Sequence, residues 1–113
     1  RRPDTVRAPD ISFVRRERIP DPEPVSFAEF PPDLAAEIVS LSNSAREIGA
    51  RVRDLLEAGT RLAWVLDPET QTATIHRPGR EAEHLPAEEY LDGEDVLPGF
   101  RCPLAEVFRG PLR

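Results

Sequence analysis

The sequence predicts an α/β fold in which a strand, an amphipathic helix and a second strand form one unit at the centre of a mixed sheet. Three observations carry this prediction. Leu34 to Ser40 and Arg61 to Leu66 are short, nearly continuous apolar runs, the pattern of strands covered on both faces. Between them Ile48, Val52, Leu55 and Leu56 fall at i, i+4, i+7 and i+8, one apolar stripe of a helix. The connections are short, so the two strands are expected to run parallel with a right-handed crossover. The first strand carries one residue that folding alone does not ask for. Glu37 stands among Leu34, Ala35, Ala36, Ile38 and Val39, where an isolated carboxylate costs on the order of several kcal/mol unless it is paired or metal-bound.

In chain order, Arg1 to Ala8 is polar and reads as a loop entering a strand at Asp10 to Val14, with Ile11 and Phe13 on one face. Pro20, Pro22, Pro24, Pro31 and Pro32 make Arg15 to Pro32 an extended connection, pinned by Val25, Phe27 and Phe30. After the first covered strand, Ser44 and Glu47 form a capping box that opens the helix, and Gly59 closes it. Gly49 inside the helix costs about 1 kcal/mol relative to alanine, which implies close packing or tolerance. Trp64 in the second covered strand reads as core. Asp67 to Thr70 is a turn, and Thr72 to Arg77 is expected to return antiparallel to Arg61–Leu66. His76 and His84 lack a second ligand at metal spacing and read as surface residues. From Pro78 onward the chain is acidic and turn-rich. It holds a weak strand near Ala82–Leu85, a turn at Leu97 to Phe100, and a short helix from Leu104 to Phe108 with Pro103 at its first position. This tail is expected to pack on the sheet as a cover.

At 113 residues the chain is one domain, 1–113, near the lower end of what buries a stable core. Its 39% hydrophobic and 32% charged residues are those of a soluble globular protein. No apolar run is long enough to span a bilayer and no signal-peptide pattern is present, so no membrane partner is expected. The one cysteine, Cys102, excludes an internal disulfide framework and suits the cytoplasm; it reads as a small buried side chain. The absence of methionine points to a processed chain or, in preference, to the C-terminal part of a longer reading frame. Lysine is also absent, and every basic side chain is an arginine. The net charge of −6 disfavours non-specific nucleic-acid binding, so a nucleic-acid surface would have to be local. The basic cluster Arg1, Arg2, Arg7, Arg15, Arg16 and Arg18 reads first as a solvated arm and strand rim.

Glycine-rich phosphate loops, HExxH, CxxC and GxSxG are all missing. What remains is a carboxylate set: Asp10 at a strand start, Asp33 before the next strand, and Glu37 within it. If the two strands are neighbours, Asp10 and Glu37 can converge on one hard divalent ion, Mg²⁺ or Mn²⁺, completed by waters and a phosphate. The residue-level alternative is an ion pair of Glu37 with Arg51 or Arg46. Asp33 reads as a strand-entry residue outside the site.

The blocks Pro9 to Val14, Pro32 to Ser40, Leu56 to Gly59, Trp64 to Pro68 and Leu97 to Phe100 resemble, in order and spacing, the Uma-type restriction endonucleases of the PD-(D/E)XK nuclease superfamily. The resemblance implies a restriction-endonuclease-like core, incomplete at its N-terminus, and Mg²⁺-dependent hydrolysis of DNA. By position, Asp10 and Glu37 match the family's metal-binding acids, and Arg51 stands where the family has a helical lysine. Leu41 and Leu55 replace the usual proline and tyrosine. Arginine can clamp phosphate but is a poor base. Two functions follow: a metal-dependent endonuclease, with Asp10 and Glu37 on Mg²⁺ and Arg51 on the scissile phosphate, or a catalytically impaired remnant of the fold serving as a structural or protein-interaction domain. Strand edges left open by a missing N-terminus hint at a homodimer.

Overall fold

A computed structural model describes residues 9–14 and 31–109. Within them, β1 (Ile11–Phe13), β2 (Leu34–Ile38), β3 (Leu62–Asp67), β4 (Thr72–His76) and β5 (Glu83–Leu85) form one sheet in the order β1-β2-β3-β4-β5. β2 and β3 are parallel and the other neighbouring pairs antiparallel. The parallel pair is the one joined by helix α1 (Ala45–Ala58), so the predicted strand–helix–strand unit forms.

The helix is bounded by the residues that the sequence nominates. Ser44 Oγ accepts from the Glu47 N–H at 3.0 Å, and Glu47 Oε1 accepts from the Ser44 N–H at 3.0 Å. Two donors that helix geometry would leave unpaired are thereby satisfied. At the other end Gly59 takes φ 123°, a conformation open to glycine, and donates to the carbonyls of Leu55 and Leu56. Ile48, Val52 and Leu55 are buried, with Ile48 and Val52 packed on Ala63.

The opposite face of the sheet is thicker with side chains. Leu34, Ala36, Leu62, Trp64, Leu66, Ala73 and Ile75 pack there against Leu91, Val96 and Leu104 from the C-terminal segment. Cover on both faces is why β2 and β3 show no polar alternation. The covering segment is a hairpin of β6 (Tyr90–Asp92) and β7 (Arg101–Pro103), followed by α2 (Leu104–Phe108). Arg77 ties it to the sheet: Nη2 donates to Glu94 Oε2 at 2.7 Å and to Glu83 Oε1 at 3.0 Å. The hydrogen bond to Glu94 is the main reason that the Arg77 pKa is raised further.

Three expectations are corrected. Pro103 ends β7 and caps α2 instead of occupying its first helical position. Cys102 is half-buried, because it faces Leu91 across a two-stranded hairpin. His76 is half-buried beneath the rim of α1, less exposed than expected. The basic cluster and the anchors Val25, Phe27 and Phe30 lie outside the described residues. No helix among the described residues is long and apolar enough to cross a membrane.

Gly49 and Gly93 differ in what a side chain would meet. A Cβ on Gly49 has nothing within 4 Å, whereas one on Gly93 collides with the Leu97 carbonyl oxygen. Gly49→Ala is therefore expected to raise unfolding free energy by about 0.5–1 kcal/mol in urea denaturation, and Gly93→Ala to lower it.

Candidate functional site

β1 and β2 place the two predicted acids together. Ile11 lies opposite Ala36 at the last rung of the antiparallel register, and Asp10, just before β1, lines the same cleft as Glu37. Glu37 is on the face that α1 covers, since it is level with Val65, which flanks the helix contact. Asp10 is exposed and its Oδ2 accepts from the Ile38 N–H at 2.7 Å, just past the end of the β1–β2 ladder. A backbone donor that lacks a strand partner thus orients the carboxylate.

Glu37 is buried, and α1 supplies its counter-charge. Arg51 stands three residues after Ile48 and four before Leu55, at the rim of the buried stripe. Its Nε and Nη2 donate to Glu37 Oε1 at 3.2 and 3.0 Å. The side chains are 19% and 2% exposed, so the pair sits at the inner end of an opening and not on the surface. Of the two arginines considered as partners, the structure chooses Arg51; Arg46 is exposed.

Asp10, Glu37 and Arg51 line one cleft of about 470 Å³ together with Ile38, Ser40, Ser42 and Asn43. The last three belong to the β2–α1 connection, where the Ser40 and Ser42 hydroxyls are hydrogen-bonded at 3.0 Å. Sequence reasoning did not single them out. The signal was the polar run Ser40–Ser44 directly after a covered strand, which raises the wall of whatever that strand delivers. Asp33 is buried at the other end of β2 and outside the cleft. A second cleft of about 370 Å³ runs along α1 past Gly49, Leu56 and His76, but no pair of carboxylates converges on it.

Two carboxylates fit a hard cation that needs few protein ligands, as Mg²⁺ or Mn²⁺ does. No group of three or more histidine, cysteine or acidic side chains comes together among the described residues.

A family model described as Uma2, putative restriction endonuclease, matches residues 1–105. The chain belongs to the Uma2 family. Among solved structures this Uma2 chain is similar to a putative nuclease belonging to DUF820 from Anabaena variabilis ATCC 29413, with a TM-score of 0.64 and 24% identity over 69% of this chain. The match spans 44% of that protein's length, and it is a likeness of fold. No curated protein matches the chain. The restriction-endonuclease-like class expected from the sequence is thus the class of the Uma2 fold observed.

Two outcomes test the electrostatics of the site and its surroundings. Arg51→Ala removes the Arg51 donors from a buried carboxylate and is expected to cost on the order of 3–5 kcal/mol in urea denaturation, more than Arg51→Gln combined with Glu37→Gln. On β4, burial and then the charge of His84 hold the His76 pKa below its ordinary 6.5. The unfolded chain binds more protons in that window, so His76 costs stability as pH falls through 6.5 toward its lowered value. His76→Gln should flatten that slope in denaturation curves measured across pH.

Proposed function

We propose that the chain is a metal-dependent endonuclease that hydrolyses DNA phosphodiester bonds, with Asp10 and Glu37 as ligands of Mg²⁺ or Mn²⁺ and Arg51 on the scissile phosphate. The observation that carries the reading is the arrival of two carboxylates from adjacent strand ends in one cleft. Membership of a restriction-endonuclease family supports it.

When bound, the ion supplies a water of lowered pKa and neutralises charge developing on the phosphoryl oxygens. The chain's own residues do the rest. The Ile38 N–H holds Asp10 in place, and burial keeps Glu37 oriented toward its neighbours. Arg51 offers a planar fork of donors that matches a phosphate as well as a carboxylate. Because it stays charged, it acts as a clamp and not as the base that a lysine could be. Ser40, Ser42 and Asn43 present further polar groups to a phosphate backbone entering the cleft. A homodimer carrying two such clefts is the arrangement that cuts both strands.

The contact between Arg51 and Glu37 favours a second reading, a catalytically impaired remnant with a structural or protein-interaction role. The pair satisfies the buried carboxylate without any metal.

The deciding experiment is nicking of supercoiled plasmid by the full chain in Mg²⁺ and Mn²⁺, beside Asp10→Asn and Glu37→Gln. The nuclease reading expects cleavage by the wild type, none by either variant, and a rise in melting temperature with Mg²⁺ or Mn²⁺ that both variants lose. Uncut plasmid together with an unmoved melting temperature favours the remnant.

A further inference from the structure

A carboxylate oxygen has two in-plane lone pairs. On Glu37 both are engaged at Oε1 by the two donors of Arg51, at 3.2 and 3.0 Å, while Oε2 is buried. Arg51 lines the cleft and is the more exposed partner, 19% against 2%. A cation entering from the cleft therefore meets the guanidinium before it meets the carboxylate. Two cations at bonding distance from one buried oxygen repel each other. Arg51 cannot escape by losing a proton, since arginine remains charged; it can only move.

We propose that Arg51 is an exchangeable internal counter-ion. In the metal-free protein it occupies Glu37, and it releases that carboxylate for a phosphodiester of the nucleic acid when Glu37 turns to a divalent cation. This rests on the nuclease reading above. The exchange uses one property of arginine, a donor fork that fits carboxylate and phosphate alike. It also makes the two ligands help each other. A cation that takes Glu37 frees the Arg51 fork for phosphate, and a phosphate that draws Arg51 away frees Glu37 for the cation. Linkage then requires that phosphate raise cation affinity by the same factor as cation raises phosphate affinity.

Ca²⁺ and a short DNA duplex are suitable probes, because binding is read and turnover is not. In heteronuclear NMR of the full chain, the Arg51 Nε–H, identified by its absence in Arg51→Lys, should be protected from exchange without metal and lose protection as Ca²⁺ is added. By calorimetry, Arg51→Gln should bind Ca²⁺ about tenfold more tightly than wild type when DNA is absent, and the roughly tenfold coupling between Ca²⁺ and duplex in wild type should shrink in the variant. If Arg51→Gln does not fold, the NMR titration of the wild type decides alone. Ca²⁺ binding that leaves the Arg51 Nε–H protected, or equal Ca²⁺ affinities in the two proteins, overturns the exchange and leaves the nuclease reading intact. Failure of Ca²⁺, Mg²⁺ and Mn²⁺ to bind with DNA present or absent removes the nuclease reading, and the exchange with it.

Discussion

The buried contact between Glu37 and Arg51 is the constraint on which the arrangement of this fold depends. β2 is enclosed by β1 and β3 at its sides and by side chains on both faces, so a charge within it has one direction in which to be answered. That direction is the helix side, and α1 answers with the residue at the rim of its apolar stripe. The same contact fixes the rotation of the helix over the sheet. Turning α1 to bury more of Leu56 would pull Arg51 off the carboxylate, and turning it the other way would lift Val52 from Ala63. Packing and electrostatics agree on one orientation, a consistency between levels that specifies a single structure.

The two faces of the sheet divide the labour. On one, the C-terminal hairpin and α2 build the larger apolar cluster around Trp64 and Leu104. On the other, α1 leaves a cleft at the ends of β1 and β2, where polar groups stay accessible to solvent. Small residues mark the boundary: Ala35 and Ala63 let the helix approach, and their neighbours Ala36 and Trp64 fill the opposite side. Stability thus comes chiefly from the dry face, so the wet face can carry charged groups that a core would not tolerate.

Much of this was legible in the residues themselves. The covered strands, the helix with both caps, the β3–β4 return and the weak strand at β5 followed from apolar runs, capping chemistry and turn signals. That Asp10 and Glu37 line one cleft was legible because an acid stands inside an apolar run and a second acid precedes the neighbouring strand; the arginine that answers Glu37 was legible as one of two candidates on the helix. The β6–β7 hairpin was not, since each strand is three residues long and Leu91 is its one buried hydrophobic residue, too short a pattern to show a period. His76 was misjudged for a related reason. Its burial comes from the overhang of α1, a tertiary effect that its threonine neighbours do not announce.

The chain's one tryptophan is 3% exposed, and its ring lies 5.7 Å from that of Phe100, between the sheet and the C-terminal cover. Trp64 sits on the opposite side of β3 from Val65, which is level with Glu37, so the indole and the cleft look out in opposite directions. Its fluorescence therefore watches whether the cover stays docked, and it is largely blind to what enters the cleft. In this protein a ligand that alters tryptophan emission has moved the scaffold, and one that leaves emission unchanged has not thereby failed to bind.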